Sequence, residues 1–228
     1  MPRVCGPVPT VPYAGSMTTQ GQVFLDALGD DAERLHPRLL AQLRAPGSVA
    51  RAEGVFAVAG SRLGPLTALA RPVLGPRMLV TRLGRDVPFS LTTSSGVDAR
   101  GRATLDSARA FRFPSGTQHI IDRLTVSVHP GLVRNLLGAR GRLELIEECS
   151  VTAEGFLRMR TRRVAVRLAG RRFALRGILG VRVDLVDGWD AVHERRTIDM
   201  RATNPLVGTV LQYRGWYRHA EVDAPTEA

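Results

Sequence analysis

The chain has 228 residues, 44% of them hydrophobic, and a formal charge of +11 from 32 basic and 21 acidic residues. This composition excludes a disordered chain and leaves a globular one, long enough for one well-filled core or two small ones. Two cysteines, Cys5 and Cys149, exclude a disulfide framework and point to a reducing, cytoplasmic setting.

Residues 1–18 open with MPRVCGPVPTVPYAGS, a Pro-rich stretch expected to be a disordered tail, with Met17 as a second candidate start. A short disordered tail is expected again at 220–228, with a single α+β domain between them at 19–219. No run of about 18 apolar residues exists, so no membrane-spanning helix is expected, and the N-terminus lacks the apolar middle of a signal peptide.

From Gln20 to Ala45 the period is helical. Val23, Phe24, Ala27 and Leu28 share one face, and Leu35, Leu39, Leu40 and Leu43 share the next. Gly29-Asp30 separates them, with Asp30 or Asp31 as the expected cap, and Pro37 should bend the chain near His36. A third short helix is expected at 62–74.

After about residue 76 the period becomes two. Val87, Phe89 and Leu91 alternate with polar residues, as do Leu105, Phe111 and Phe113, then Ile120, Leu124, Val126 and Val128. Val192, Ile198 and Met200 form another such set, and Leu211, Tyr213 and Tyr217 a last one. Short strands with Gly turns and no strand–helix alternation argue for an antiparallel sheet. The expected fold is therefore α+β: mostly antiparallel β-sheet, curved toward a barrel-like form, with short helices of the N-terminal third packed on it.

The stretch 155–177, GFLRMRTRRVAVRLAGRRFALRG, holds eight arginines and no acid. Paired with 142–152 through the loop Ala153-Glu154-Gly155, it places Val151 opposite Leu157, Cys149 opposite Met159 and Glu148 opposite Arg160. A one-residue bulge at 162–163 then restores the phase, with Leu145 opposite Val164 and Leu143 opposite Val166. The basic face of Arg158, Arg160 and Arg162 then covers the wet side of a sheet and meets Glu144 and Glu148. Every basic residue in the chain is arginine, as codons of a GC-rich genome favour. Few aromatics interleave with the arginines, so a nucleic-acid partner is disfavoured; an acidic partner or anionic membrane is the alternative reading of this face.

No zinc spacing, no HExxH pair and no G-x-S-x-G elbow occurs, so no metal, no cofactor and no catalytic set is expected. Glu147 falls on the apolar face, where a buried, perturbed carboxylate competes with an edge position or a pairing with arginine. Gly215, within the last strand, signals a bulge or close backbone approach. The candidate pocket residues are His36, Phe89, Glu147, Glu194, Asn204, Tyr213, Arg214 and Trp216.

Several segments in order, LGDDAERLHPRL (28–39), DVPF (86–89), ARAFRFP (108–114), LLGARGRLEL (136–145), GFLRMR (155–160) and NPLVGTVLQYRGW (204–216), resemble a bacterial family catalogued as domain of unknown function 4166. The resemblance covers about residues 20–218, a length typical of one larger domain. It implies one fold unit and brings no reaction with it. Some members are fused to an oxidoreductase-like dinucleotide domain, which suggests an enzyme or accessory domain of such a system. The residues themselves favour a non-enzymatic binding module, its pocket between sheet and helices taking an apolar or amphipathic small ligand. An enzyme would need at least two of His36, Glu147 and Glu194 in one cleft.

Overall fold

Period-two alternation makes a strand with one oily face, and that face must be covered. Here the strands cover it with one another. The computed structural model describes residues 19–64 and 77–220. Among these, eleven strands follow in chain order: β1 (Val49–Gly60), β2 (Leu83–Val97), β3 (Ala103–Phe113), β4 (Gly116–Val126), β5 (Leu132–Leu137), β6 (Leu143–Val151), β7 (Leu157–Leu168), β8 (Arg171–Ala174), β9 (Arg182–Asp190), β10 (Arg195–Asn204) and β11 (Gly208–His219). The sheet order is β6-β5-β4-β3-β2-β1-β11-β10-β9-β7-β8, and β6 also pairs with β7. Ten strands thus close an antiparallel barrel, and β8 lies outside the ring on the edge of β7. Closure leaves none of these ten with a free edge along its whole length.

The β6–β7 hairpin has the register expected from its alternation. Val151 pairs with Leu157, Cys149 with Met159 and Leu143 with Val166, with the shift falling between Ile146 and Glu147 so that Arg162 is the extra residue. Gly155 closes the three-residue loop at φ 78°. Its carbonyl accepts the His36 N–H at 2.7 Å, and an added Cβ would stand 2.9 Å from that nitrogen. One glycine therefore serves both the turn and the seat of the helices.

Those helices are short. Helix α1 (Gln22–Leu28), a 3-10 turn (Gly29–Arg34) and helix α2 (Pro37–Leu43) cover one end of the barrel. Val23, Ala27 and Leu28 pack in one cluster with Leu105, Leu124 and Val133. The chain does break at His36, with Pro37 opening α2. The cap, however, is His36 itself, whose Nδ1 accepts the Arg38 N–H at 3.3 Å. Asp30 and Asp31 lie in the 3-10 turn and make no side-chain cap.

Along the β1, β2, β3 and β11 wall, Phe56 stacks on Phe89 with centroids 3.8 Å apart, and Phe111 and Tyr213 lie at 5.3 and 5.0 Å. Gly215 pairs with Phe56 beside an irregular step in β1. A Cβ at Gly215 would strike the Val55 carbonyl, which is the close approach its place in the strand signalled.

Two expectations are corrected. Val192 is 87% exposed and belongs to a turn rather than to β10, because the Asp190 carboxylate accepts the N–H groups of Val192 and His193 and curls the chain there. Val128 likewise lies past the end of β4 and is exposed; the Ser127 hydroxyl accepts the His129 N–H and turns the chain. The expected helix at 62–74 lies almost wholly outside the described residues, as do most of the expected terminal tails.

The close passage of β1 and β11 yields a test. Gly215→Ala should lower stability by about 2 kcal/mol or more in urea denaturation, because backbone rather than a flexible tip must move. Gly96→Ala, whose new Cβ would have nothing nearer than the Thr104 hydroxyl at 3.5 Å, should stay within about 0.5 kcal/mol.

Candidate functional site: the barrel interior

A ring of ten strands encloses more room than eight, whose interior side chains just fill it. The inward residues here are mostly medium-sized, and a cavity of about 270 Å³ remains. It runs from Phe24 and Leu43 under the helices to Met78, Leu175 and Val181 at the opposite end. Its lining is chiefly aliphatic, and two polar groups of residues project into it from different walls.

The first group comes from β3–β6. Arg109 Nη1 donates to Asp122 Oδ1 at 2.8 Å, and the Ser107 hydroxyl donates to the same oxygen at 2.5 Å. Asn135 Nδ2 donates to Glu147 Oε2 at 3.0 Å. Burial opposes the charge of Arg109, but the neighbouring Asp122 carboxylate more than restores it. Burial likewise pushes Glu147 up to about 7; the Asn135 hydrogen bond opposes this and the Asp122 charge adds to it. Of the alternatives for Glu147, the buried, perturbed carboxylate is the one found, with an amide rather than an arginine as its hydrogen-bond partner.

The second group comes from β9–β11. Arg196 grips Asp187 through Nε and Nη2. Tyr217 donates its hydroxyl to Asp187 at 2.9 Å, and Arg196 lies over its ring at 5.3 Å. His219 stands 3.5 Å from Arg196 Nη1; burial first, and then that guanidinium, hold its pKa down at about 4. Tyr213 lies between the groups. Burial raises its pKa, Arg109 opposes the rise, and Asp122, Glu147 and Asp187 add to it.

The two arginines differ in how far they are satisfied. Arg196 is held at all three nitrogens. Arg109 donates a single hydrogen bond among the described residues, and its side chain keeps 17% exposure because it faces the cavity. Two buried acceptors on cavity-lining residues, Asn135 Oδ1 and Gln42 Oε1, have no partner among the described residues. Unmade hydrogen bonds of this kind cost about 1–3 kcal/mol each, and a bound polar group would relieve them. Burial, and then Glu147 and Glu148, push the Cys149 thiol up to about 12, away from the thiolate form that reacts.

A family model described as Domain of unknown function (DUF4166) matches residues 35–217. The chain belongs to this family. No curated protein and no solved structure matches it.

In the DUF4166 chain, Glu147 and Tyr213 line the cavity. The other six sequence-selected residues lie elsewhere. Phe89 is locked in the aromatic stack on Phe56. His36 caps α2 and stacks on Trp189 at 6.1 Å. Glu194 is exposed in the β9–β10 turn, 3.8 Å from Arg38. Asn204 ties the β10–β11 turn to its neighbours. Arg214 faces outward, and Trp216 packs under the Arg195 guanidinium at 4.7 Å. His36, Glu147 and Glu194 do not meet in one cleft: only Glu147 is inside.

The basic face is paired, with Glu148 as expected and otherwise with a different acid. Arg158 and Arg160 both reach Asp184 of β9, a strand the alternation did not reveal, and Arg162 takes Glu148. Glu144 is buried rather than wet, under Arg134, Arg167 and Arg172. Among the described residues no cluster of three or more His, Cys, Asp or Glu could hold a metal ion, and no helix is long and apolar enough to cross a membrane.

Ser107, Arg109, Asp122, Asn135, Asp187 and Arg196 were missed. A signal existed: each sits in phase with apolar neighbours on its strand, as Asp122 does between Ile120 and Leu124. Polar residues on an oily phase mark a wet or ligand-filled interior.

Glu147 supplies a pH test. Its folded pKa, about 7, exceeds its ordinary 4.5, so between these values the folded state holds a proton that the unfolded chain has lost. Stability from this group is full below about pH 4.5 and declines as pH rises to about 7, by on the order of 3 kcal/mol. Glu147→Gln should remove that slope in denaturation across pH 4.5–7. A carboxyl stretch in the infrared spectrum, disappearing near pH 7 in the parent chain only, should report the same proton.

Proposed function

We propose that the barrel is a non-enzymatic binding module whose interior takes one small amphipathic ligand: an apolar body along the aliphatic lining and a small hydrogen-bonding head at Arg109 and Asn135. The observation that carries this reading is the under-used Arg109 guanidinium facing an otherwise apolar cavity. Apolar pockets with a few convergent polar groups are the usual form of small-ligand sites. Because Asp122 already neutralises Arg109, the head group need not carry a full charge. An acceptor for Arg109 and a donor for Asn135 Oδ1 suffice, as in an alcohol, an amide or a protonated acid. Tyr213 and Glu147 flank this head.

The test uses two fluorescent probes, diphenylhexatriene, which is apolar throughout, and parinaric acid, which carries a carboxyl head. Both should bind at one per chain. Met159→Trp, which fills the cavity, should abolish both. The double variant Arg109→Met/Asp122→Asn removes the head contact without leaving a lone buried charge; it should weaken parinaric acid about tenfold or more, the loss expected of a charge-assisted hydrogen bond, and spare diphenylhexatriene. Probe binding that is indifferent to Met159→Trp would refute an interior site.

One observation favours a second, catalytic reading. Glu147 titrates near neutrality beside Asn135, as a general base would. Mass spectrometry of a captured natural ligand, before and after incubation with the chain, separates the readings: turnover lost in Glu147→Gln supports the enzyme.

A further inference from the structure

The barrel end opposite the helices has a surface that the ligand site does not use. There β8 and a 3-10 turn (Gly177–Leu179) join β7 to β9. The β10–β11 turn lies alongside, tied by Asn204 Nδ2, which donates to the carbonyls of Ile178 and Gly180 at 2.8 and 2.7 Å. Five large apolar side chains of these two segments stand in solvent: Phe173, Ile178, Leu179, Leu206 and Val207, each about half exposed or more. Apolar side chains this exposed and this close together mark an interaction site.

The two segments themselves carry cations and no acid. Residues 169–182, AGRRFALRGILGVR, carry four arginines and no acid, and residues 203–210 carry no acid either. On the outer face of β7 and β8, Arg163, Arg172 and Arg176 surround a surface cleft of about 410 Å³ that includes Ala165 and Ala174. Of these three only Arg172 has a carboxylate partner among the described residues, Glu144 at 2.6 Å. This differs from the barrel wall, where Arg158, Arg160 and Arg162 are each matched by an acid.

We propose that this end docks on an anionic lipid bilayer, with the five apolar tips entering the headgroup–acyl boundary and the arginine cleft taking a lipid phosphate. Apolar residues ringed by cations are the form of an interfacial membrane anchor, and arginine's planar fork suits phosphate oxygens. An acidic protein face would pair the arginines but set Ile178 and Leu179 against charge; an anionic bilayer suits both. Leu175 and Val181, in the same segment as three of these tips, line the cavity, so docking brings the cavity to the lipid. The inference goes beyond the ligand reading and does not require it.

The test is co-sedimentation of the full chain with phosphatidylcholine vesicles, with and without phosphatidylglycerol. Phosphatidylglycerol should strengthen binding about tenfold or more, and salt should weaken it. Ile178→Asp/Leu179→Asp and Arg163→Glu/Arg176→Glu should each reduce binding about tenfold or more. Arg51→Glu/Arg214→Glu, with the same charge change at the helix end and on the wall, should change it less than about threefold. Retained circular dichroism and diphenylhexatriene binding in the variants separate a lost docking surface from a lost fold or a failed ligand site. Equal sedimentation with both vesicles, or equal loss in the control pair, overturns the proposal. So does no sedimentation at all; salt-sensitive retention on polyglutamate would then assign the surface to an acidic polypeptide.

Discussion

Everything inside this molecule follows from the width of a ten-strand ring. Strand number and tilt set the diameter of a barrel, and past about eight strands aliphatic side chains stop meeting across the middle. One wall answers this with aromatics: Phe56, Phe89, Phe111 and Tyr213 stack into a solid block. The β4–β7 and β9–β10 walls carry Leu, Met, Val and short polar residues in place of such rings, and there the space stays open. The aromatic block fills one side, and Tyr213 of that block borders the cavity that the aliphatic walls leave open.

Charges inside such a ring survive only in company. Asp187 is held by Arg196 and Tyr217, and Asp122 by Arg109 and Ser107. Removing one partner of such a pair leaves an uncompensated buried charge, at a cost of about 3–5 kcal/mol. The two pairs are not equivalent. The Asp187 group is saturated and fixes β9, β10 and β11 to one another near the helices. The Asp122 group is under-satisfied, and the neighbouring Asn135 acceptor is unmet. Structure and recognition thus divide between two clusters that look alike in sequence.

Local order was legible in the sequence, and so was a curved, barrel-like sheet, but the strand pairings that close the ring were not. The β6–β7 hairpin could be read residue by residue, bulge included, because apolar phase, turn glycine and adjacent strands all act within 25 residues. The break at His36 was legible for the same reason, since proline forbids the helical bond locally. Closure depends on β1 meeting β11, and no local pattern specifies a partner more than a hundred residues away; β7 meets β9 only by passing over the inserted β8. Strand β5 escaped because it is six residues long with Arg134 and Asn135 in its middle. Strand β9 escaped because Val186 faces outward and Asp187 inward, reversing the expected alternation. The same reversal hid the site: Glu147 and Tyr213 could be named, whereas Asp122 and Arg196 were passed over as interruptions of an oily phase.

The two ends of the barrel then differ in kind. At one, α1 and α2 lay an apolar face over the opening and are pinned by the His36 N–H on the Gly155 carbonyl; a glycine that must turn tightly is also the residue that lets the helices come close. At the other, the continuous β7–β9 pairing stops at Arg160 and Asp184. Past that point Thr161 accepts the Val183 N–H, and β7 turns its edge to β8 instead. The wall therefore parts where β8 and the Gly177–Leu179 turn are inserted. Residues in that insertion have no opposite strand to bury them, which is why Phe173, Ile178 and Leu179 stand in solvent while the inward Leu175 borders the cavity. A departure of one strand from its neighbour thus creates both the way toward the interior and the oily, cationic surface beside it.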